Sequence, residues 1–476
     1  MDKFSRYRPI IADWEAFCAI ARAPLPICIR VNRSRVSDRE LQDWLAESGI
    51  FLEPIAWCEG AYRWHGSVRP GQHLAYLLGL YQIQEEVALL PALLLGVRPG
   101  ERILDLCAAP GNKTAQIAQL MQQKGTLVAN DRNRHRLRVL RSALERQGIM
   151  QVTTTVWDGA NYPAQSGYFD RVLVDVPCSC EGTMRKHSSV SQLSGAGVSL
   201  RLQGVQKALL RKAVQRCMPG GRIVYATCTY APEENEAVVD AILKEYGDEV
   251  LRVIPVTFEG LDWEQGLTQW QGAEYHPDLH HALRIWPHVN NTGGFFIAVL
   301  EKLRWPVHVP EPVPLKEVVP DEEASKYLQY PMERFGFPEQ IFDAYVPVKP
   351  GNKSVFLVSS PHFPPEAPMP WTMGMSAMRV QLRYPKLTTA AVMAFAGEAM
   401  RNKVTLDEKQ LRMYLQRERV SLTQEQVSAC EGSGYVMVCY RRWGVGIGVY
   451  RKGTSQLESL FPKGWAGDIR ADKLVV

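Results

Sequence analysis

The chain has 476 residues, 46% of them hydrophobic, which is enough for two or three domains with sizeable cores. Its net charge of +5 is compatible with a nucleic-acid partner, while its charged start predicts no signal peptide and no apolar run approaches the roughly 18 residues of a membrane span. The ten cysteines are scattered without a Cys-x-x-Cys pair, which predicts neither a disulfide framework nor a zinc site and favours a reducing cytoplasm.

Residues 1–90 are predicted to form an N-terminal α+β domain that binds RNA. An extended segment at 24–32 precedes helical patterns at 38–47 and 81–95. Basic and aromatic residues are interleaved here, which suits RNA because aromatic rings stack on bases and arginines bind phosphates. These residues are Arg30, Arg33, Arg35, Trp57, Tyr62, Arg63, Trp64 and His65. A packed domain with a solvated charged face explains the same composition equally well.

Residues 91–303 alternate between strand and helix patterns. The predicted strands are 102–107, 126–130, 151–156, 171–174, 222–226 and 295–301, and the predicted helices are 113–123, 133–147, 200–217 and 233–246. This alternation is typical of a doubly wound, mostly parallel sheet, whose ligands bind beyond the carboxyl ends of the strands. The last strand, which follows Gly293-Gly294, is predicted to be an edge.

The first of these strands ends in a turn of small residues at 107–113. Its sequence is Cys107, Ala108, Ala109, Pro110, Gly111, Asn112 and Lys113. Small side chains let a ligand approach the backbone, and a helix start presents free N–H groups to a negative group. An ordinary strand–helix turn of any α/β protein has the same pattern, so this stretch alone does not decide between the two.

Three successive strands are followed by an aspartate. Asp131 comes after the second strand, Asp158 after the third and Asp175 after the fourth. A single aspartate at a strand end is usually a cap, but three of them after a Pro-Gly turn outline a pocket shaped for a nucleoside. On the helix after the second strand, Arg134, Arg138 and Arg141 share one face, which is interpreted as solvated or as facing RNA.

Two cysteines follow neighbouring strands of the predicted sheet. Cys178 lies just past Asp175, and Cys228 lies just past the fifth strand. A lone buried cysteine is usually structural, whereas two at adjacent strand ends beside a carboxylate are better interpreted as reactive. A thiol becomes a strong nucleophile when its surroundings lower its pKa.

Taken together, these motifs resemble those of the Nol/Nop/Sun family of RNA 5-methylcytosine methyltransferases. The matching pieces are 105–114, 129–131 with Arg136, 158–159, 175–178 with 181–186, 227–229 and 293–296, and 30–32 and 84–85 look like upstream signatures of the family. The resemblance covers about residues 25–303. It implies a Rossmann-like, S-adenosylmethionine-dependent methyltransferase fold with a seven-stranded sheet.

The resemblance also implies a role for each matching residue. Residues 107–113 would hold S-adenosylmethionine, Asp131 with Arg136 would lie at its ribose, Asp158 at its adenine, and Asp175 between the cofactor and the target base. Cys228 would be the nucleophile, and Cys178 would assist release of the methylated product. No metal is implied.

Two features depart from the family's pattern. Cys180 stands where the family usually has glycine, which makes it a rival to Cys178 and puts the backbone shape of the loop in doubt, since glycine permits angles that cysteine avoids. The stretch 187–200 is rich in Ser and Gly and is interpreted as a mobile loop over the site.

Residues 304–370 contain 14 of the chain's 31 prolines, so 304–374 is predicted to be a connecting region, with a short strand at 355–358. Residues 375–476 have short strands, turns and clustered basic residues, and resemble the PUA-like RNA-binding module of some bacterial family members. A structural β-domain without RNA contact is the alternative.

The leading hypothesis is transfer of a methyl group from S-adenosylmethionine to carbon-5 of a cytosine in 16S rRNA by a cytoplasmic monomer without a membrane partner. The same chemistry on tRNA is the first alternative. A non-catalytic RNA-binding factor of ribosome assembly is the second, and a small-molecule methyltransferase is the third, although it leaves the flanking domains without a role.

Overall fold

The computed structural model describes residues 2–186, 195–306, 314–468 and 474–476. Its N-terminal part is an antiparallel sheet of four strands in the order β2-β3-β1-β4, with helices on its flanks. The strands are β1 (Cys28–Val31), β2 (Phe51–Pro54), β3 (Ala61–His65) and β4 (Tyr81–Ile83). The helices are a 3₁₀ helix (Asp2–Ile10), α1 (Trp14–Ile20), α2 (Asp38–Ala46) and α3 (Leu74–Leu77).

The helix predicted at 81–95 is wrong over its first half. Residues 81–83 form β4, which pairs with β1, and a 3₁₀ turn (Val87–Leu89) then leads into α4 (Leu90–Leu94). Pro91 lies in the first turn of α4, where its missing N–H is tolerated, so a continuous helix through this proline is disfavoured.

The central part is built of strands that alternate with helices, as predicted. The strands are β5 (Arg102–Asp105), β6 (Thr126–Asn130), β7 (Val152–Thr155), β8 (Phe169–Asp175), β9 (Cys217–Thr227), β10 (Leu251–Val253), β11 (Glu264–Gln265), β12 (Gln269–Trp270), β13 (Ala273–Glu274), β14 (Leu283–Ile285) and β15 (Phe295–Lys302). The helices are α5 (Asn112–Leu120), α6 (Arg134–Gln147), α7 (Ala196–Arg216), α8 (Glu236–Tyr246) and α9 (Pro287–Asn290).

Seven strands form the core of the central sheet, in the order β7-β6-β5-β8-β9-β15-β14. The five from β7 to β9 are parallel, β15 runs antiparallel to β9, and β14 runs antiparallel to β15. The predicted doubly wound, mostly parallel sheet is therefore confirmed. The prediction of an edge for 295–301 is wrong, because β15 lies between β9 and β14, with β10 also paired to its far end.

The C-terminal part contains two further sheets. One has the order β16-β17-β19-β20 and the other β21-β23-β24-β25-β22, while β18 pairs with β7 of the central sheet. Their strands are β16 (Tyr345–Val348), β17 (Ser354–Ser359), β18 (Thr372–Met373), β19 (Met375–Arg379), β20 (Lys386–Leu387), β21 (Lys403–Leu406), β22 (Arg419–Ser421), β23 (Gly434–Tyr440), β24 (Trp443–Tyr450) and β25 (Gln456–Ser459). The helices are α10 (Glu322–Phe335), α11 (Thr389–Phe395), α12 (Glu408–Leu415), α13 (Gln424–Ser428) and α14 (Lys463–Asp468).

Helix α10 lies inside the region predicted to be an irregular connection. Asp321 caps its start by accepting from the backbone N–H of Ala324, and Gly336 ends it in a left-handed conformation. Pro331 is tolerated inside the helix. The helix was not predicted because the region around it is rich in proline. Its buried face includes Ala324, Leu328 and Phe335.

The N-terminal and C-terminal parts share one hydrophobic core. The Trp44 and Trp443 rings stack at 4.8 Å, and both side chains are buried. Around them, Arg441 pairs with Glu47 and Arg442 pairs with Glu40. Two basic residues of the predicted RNA-binding module thus pair with the N-terminal part.

Most of the basic and aromatic residues predicted to contact RNA in the first part are also engaged internally. Arg30, Tyr62 and Trp64 are buried, Arg63 donates to the Glu86 carboxylate at 2.8 Å, and Arg35 donates to backbone carbonyls. These contacts favour the alternative of a packed domain for these residues.

The arginine face of α6 is mostly exposed but contacts one aromatic ring. Arg134 and Arg141 lie over the Trp371 ring, with 5.2 and 5.7 Å from guanidinium carbon to ring centroid. Arg138 is exposed and remains available to a partner. Within the described residues, no helix combines the length and apolarity needed to cross a bilayer.

Candidate active site

The turn that follows β5 is fixed by a glycine and by a buried carboxylate. Gly111 has φ +106° at the start of α5, and a Cβ there would lie 2.8 Å from the Cγ of Leu140 on α6. The Asp105 carboxylate accepts from the Thr114 hydroxyl at 2.7 Å, in the first turn of the same helix. The backbone of the turn is thereby held between the strand and two helices.

The residues predicted to hold the cofactor form this turn. Ala108, Ala109 and Gly111 are buried, Cys107, Asn112 and Lys113 are half-buried, and Pro110 is exposed. The Ala108 N–H donates to the Asn130 carbonyl at 2.8 Å, and the Asn112 amide oxygen accepts from the Gln82 side chain of β4 at 2.8 Å. Burial raises the pKa of Cys107, so this thiol is held neutral.

Three carboxylates face one another beside the turn. Asp105 is buried, and one of its oxygens has no hydrogen-bond partner among the described residues. Burial raises the pKa of Asp105 to about 7, and the charges of Asp175 and Asp131 act in the same direction. A pocket of crowded carboxylates is suited to a ligand that carries positive charge.

Asp131, one of these three carboxylates, and Asp158 were also predicted to hold the cofactor. Asp131 is buried, accepts from the Asn133 N–H at 2.8 Å and lies 3.3 Å from the Arg136 guanidinium. Arg136 also donates to the Ala109 carbonyl, so it links Asp131 to the turn. Asp158 is exposed and caps a 3₁₀ turn by accepting from the Ala160 N–H at 3.2 Å.

Asp175 lies at the carboxyl end of β8, where its side chain is half-buried. It accepts from the Lys113 ammonium at 2.7 Å, so the basic residue of the turn reaches the neighbouring strand end. Burial opposes the charge on Lys113, but the Asp175 carboxylate outweighs burial and raises the pKa of Lys113. Lys113 is therefore a fixed positive charge that holds Asp175 in place.

The two predicted reactive cysteines are brought together. The Cys178 and Cys228 sulfurs lie 3.4 Å apart, because β8 and β9 are neighbours and Asp175 pairs with Ala226 in their register. Both residues are half-buried, so a substrate can approach them. The Cys180 sulfur lies 4.0 Å from that of Cys178 and 3.3 Å from the Cys178 carbonyl oxygen.

Cys180, which stands where the family usually has glycine, adopts a left-handed backbone conformation. Its φ is +59° and its ψ is 22°, within the left-handed region. This is a conformation that glycine adopts readily and cysteine rarely, so the loop here has a backbone that a glycine would also fit. The stretch predicted to be a mobile loop lies outside the described residues from 187 to 194, and α7 occupies its end from Ala196.

The pKa values of the two thiols differ from the expectation of a lowered pKa. For Cys228, contact with Cys178 lowers the pKa, but contact with Cys180 and burial outweigh this and raise it well above its ordinary value. The pKa of Cys178 is raised by contact with Cys180 and Cys228 and by burial. Clustered thiols beside a carboxylate are therefore protonated in this state, since each added negative charge is unfavourable.

Two polar residues that precede α8 hold the cysteine loops, and neither was predicted from the sequence. Glu234, which is fully buried, accepts from the Ser179 N–H at 3.0 Å and from the Gln206 side chain at 2.8 Å. Asn235 accepts from the Thr227 hydroxyl at 2.6 Å and donates to the Thr229 carbonyl at 3.0 Å, on either side of Cys228. Acidic and amide residues at a helix start look like ordinary caps, so the sequence carried no clear signal for them.

A close backbone contact supports the same loop from the other side. The Gly182 N–H donates to the Cys228 carbonyl at 2.8 Å, and the Gly294 N–H donates to the Gly182 carbonyl at 3.0 Å. A Cβ on Gly182 would lie 2.1 Å from the Gly294 oxygen, so this position requires glycine. Glu181 accepts from the Tyr7 hydroxyl at 2.7 Å and the Thr229 hydroxyl at 3.1 Å, which ties the N-terminal 3₁₀ helix to the site.

The residues at the strand ends fit S-adenosylmethionine. The orphaned oxygen of Asp105 and the neighbouring carboxylates suit its ammonium and sulfonium charges. With a parallel sheet whose ligand edge carries this pocket, the fold and the site define a Rossmann-like methyltransferase with a pair of cysteines.

Comparison with known proteins identifies the family. Residues 92–301 match the model of the 16S rRNA methyltransferase RsmB/F, residues 4–86 that of the N-terminal domain of 16S rRNA methyltransferase RsmF, and residues 401–466 that of the methyltransferase RsmF PUA domain. The chain belongs to the RsmB/F family of RNA cytosine-C5 methyltransferases. The resemblance drawn from the sequence motifs is thereby confirmed.

Relatives from archaea and bacteria cover the chain to different extents. A tRNA (cytosine(49)-C(5))-methyltransferase of Pyrococcus abyssi is 37% identical over 61% of this chain and 93% of its own length. A ribosomal RNA small subunit methyltransferase F of Shewanella is 30% identical over 98% of this chain and 96% of its own. The crystal structure of a methyltransferase homolog protein from Pyrococcus horikoshii is 31% identical, with a TM-score of 0.54 over 60% of this chain and 90% of that chain. The chain spans 36% of a mouse 28S rRNA (cytosine-C5)-methyltransferase that it also matches.

Proposed function

We propose that the protein methylates carbon-5 of a cytosine in 16S rRNA through a covalent bond between the Cys228 sulfur and carbon-6 of the base. The observation that carries this proposal is the meeting of Cys228, Cys178 and Asp175 at two adjacent strand ends, with 3.4 Å between the two sulfurs. A protein that only binds RNA has no need of this pair, which argues against the alternative of a non-catalytic assembly factor.

The chemistry requires a nucleophile because carbon-5 of cytosine is too electron-poor to attack a methyl group. Addition of the Cys228 thiolate to carbon-6 breaks the aromaticity of the ring and makes carbon-5 enamine-like. S-adenosylmethionine, when bound, supplies the electrophilic methyl group on its sulfonium. A base then removes the carbon-5 proton, the carbon–sulfur bond breaks, and the ring double bond returns as Cys228 leaves.

Asp175 is proposed to contact the target base at its ring nitrogen N3. An ionised carboxylate only accepts, so Asp175 must first take up a proton; donated to N3, that proton stabilises the negative charge that thiolate addition creates. Lys113 fixes the Asp175 carboxylate through its 2.7 Å hydrogen bond. The same lysine places a positive charge near Cys228, where it favours the thiolate once the site is filled.

Cys178 is proposed to assist release of the methylated base. At 3.4 Å from the Cys228 sulfur, its thiol can deliver a proton as the carbon–sulfur bond breaks. Its loop is held by the contact of the Ser179 N–H with Glu234. Cys180 is the alternative for this role, since its sulfur lies within 4.8 Å of both other sulfurs.

The cofactor is proposed to lie along the turn 107–113. Asp131, held by Arg136, would accept the ribose hydroxyls, and the exposed Asp158 would lie at the adenine. Asp105 would meet the positive end of the ligand with its unpartnered oxygen. The target base must leave its stack to reach this pocket, at a cost of a few kcal/mol, which unpaired RNA makes smaller.

The choice of 16S rRNA follows from the bacterial relative that covers nearly the whole chain and from the match of residues 401–466 to a PUA domain. The archaeal tRNA enzyme matches a shorter part, so tRNA stays the alternative substrate. We propose that 1–90 and 375–476 act as RNA-binding domains around a catalytic domain at 91–303, joined by 304–374, in a cytoplasmic monomer.

Mapping bisulfite-resistant cytosines in total RNA from cells with and without this gene tests the proposal. The expected result is the loss of resistance at one or more cytosines of 16S rRNA alone. Loss confined to tRNA would overturn the substrate assignment, and unchanged resistance in all RNA would overturn the proposed activity.

A further inference from the structure

Three thiols lie close together beyond the carboxyl ends of β8 and β9. The sulfurs of Cys178, Cys180 and Cys228 all lie within 4.8 Å of one another, and all three residues are half-buried. By contrast, Cys28, Cys58, Cys217 and Cys439 are buried and out of reach of solvent. The methylation chemistry requires two of the three thiols and leaves one unexplained.

The spacing of the three sulfurs is that of a metal site. Metal–thiolate bonds are about 2.3 Å long, so three sulfurs around one ion in a plane lie about 4.0 Å apart. The distances from Cys178 are 3.4 Å to Cys228 and 4.0 Å to Cys180, so a small adjustment closes a three-sulfur ring around an ion. Cys180 has a left-handed backbone, and its sulfur lies 3.3 Å from the Cys178 carbonyl oxygen, so its side chain already lies toward Cys178.

We propose that Cys178, Cys180 and Cys228 bind a single thiophilic d¹⁰ cation, Cu⁺ in three-coordinate form. Soft thiolate ligands select such ions over Mg²⁺ or Ca²⁺. Within the described part of the chain, this cluster includes no fourth His, Cys or carboxylate, and a three-sulfur set satisfies Cu⁺ better than it satisfies tetrahedral Zn²⁺. Each thiol that is protonated releases its proton to solvent when the ion binds.

Binding would occupy the nucleophile. With its sulfur bonded to the ion, Cys228 cannot add to a base, so one ion per chain would block methyl transfer. This consequence rests on the proposed function, whereas the site itself does not. Cys180 would be the residue that makes the active site sensitive, because two thiols alone make a weaker site.

The test measures Cu⁺ affinity of the reduced full-length protein by anaerobic competition with a chromogenic Cu⁺ chelator. The matched variants are Cys180→Ser and Cys180→Gly, the latter suited to the positive φ, and Cys430→Ser is the control because Cys430 is a half-buried thiol outside the cluster. Wild type and Cys430→Ser are expected to bind one ion with equal affinity. Loss of even a neighbour of a metal ligand weakens binding about 10- to 100-fold, so loss of the Cys180 ligand is expected to weaken it at least about 100-fold.

X-ray absorption at the copper edge provides the second readout. Three sulfur scatterers at about 2.3 Å are expected in wild type. The site would be overturned if the spectrum showed only two sulfur scatterers. It would also be overturned if wild type and both Cys180 variants bound Cu⁺ with equal affinity, or if a folded wild-type protein bound no ion. If the ion binds through three sulfurs and methylation is nevertheless unaffected, the role of Cys228 as nucleophile fails while the metal site stands.

Discussion

Replacement of Glu234 by alanine tests whether this buried carboxylate holds the loop of Cys178. The substitution removes the acceptor of two buried donors, the Ser179 N–H and the Gln206 side-chain amide. Each buried donor left without a partner costs about 1–3 kcal/mol, so Glu234→Ala is expected to lower the free energy of unfolding by about 2–6 kcal/mol. The loss should be concentrated in the loop, because both donors lie next to it.

Two further variants separate the hydrogen bonds from the charge and from general effects of substitution. Glu234→Gln keeps an oxygen that can accept both bonds, so its loss is expected to be clearly smaller than that of Glu234→Ala. Glu245→Ala removes a carboxylate whose pair with Arg211 is exposed at 38% and 39%, and such pairs contribute about 0–1 kcal/mol. Comparison of the three variants isolates the contribution of the buried acceptor.

Urea denaturation followed by circular dichroism measures the total loss, and hydrogen exchange of the peptide that contains Ser179 measures the local opening. Faster exchange in that peptide, with a lower kcat, is the expected outcome for Glu234→Ala. A loss no larger than that of Glu245→Ala, with unchanged exchange at Ser179, would refute the assignment of Glu234 as the support of this loop.

Three other changes probe the nucleophile, the carboxylate pocket and the packing of the flanking parts. Cys228→Ala is expected to abolish methylation while S-adenosylmethionine binding, measured by calorimetry, survives; residual turnover near wild type would reject its role. Burial raises the pKa of Asp105 to about 7 from 3.8, so the stability it contributes is complete below about pH 4 and is lost as the pH rises to about 7. Between pH 5 and pH 8, the free energy of unfolding of Asp105→Asn should therefore rise by about 2–3 kcal/mol relative to that of wild type, at about 1.4 kcal/mol per pKa unit. Urea denaturation measures this difference, and a difference that stays constant with pH would show that Asp105 does not titrate there. Trp443→Ala should cost about 3–5 kcal/mol by removing the ring stacked on Trp44, whereas Met369→Ala, at 84% exposure, should cost almost nothing; equal losses in thermal denaturation would contradict the shared core.

The shared core also changes what a truncation can show. If 375–476 were an independent RNA-binding module, its removal would weaken RNA affinity more than cofactor affinity. In the structure, the buried rings of Trp44 and Trp443 face each other, and Arg441 and Arg442 pair with Glu47 and Glu40. Truncation would expose this core, so a loss of RNA binding would reflect unfolding. Substitution of exposed basic residues is the informative change.

The central sheet could be predicted because its strands are buried on both faces. Such strands appear as short apolar runs, and the helices between them have their own period, so β6 (Thr126–Asn130) matches the prediction residue for residue. The functional residues at the strand ends, namely Asp131, Asp175 and the two cysteines, could also be predicted. The meeting of Cys178 and Cys228 followed from the usual strand order of such sheets.

What escaped prediction depends on contacts between residues far apart in the chain. Residues 81–83 look helical because they precede an apolar run, but β1 pairs with them as β4. Arg134 and Arg138 of α6 are exposed, in line with a solvated face, but the Trp371 ring beside Arg134 and Arg141 comes from a distant part of the chain and has no local signal. The raised pKa of Cys228 likewise arises from Cys180 and from burial, neither of which a strand pattern reveals.

The most direct test of the central claim is the site of the covalent bond in Cys178→Ala incubated with 16S rRNA and S-adenosylmethionine. If Cys178 assists release, the variant should accumulate a protein–RNA adduct that survives denaturing electrophoresis, and mass spectrometry of the digested adduct should find the nucleotide on Cys228. A nucleotide on Cys180, or methylation that proceeds in Cys228→Ala, would contradict the account.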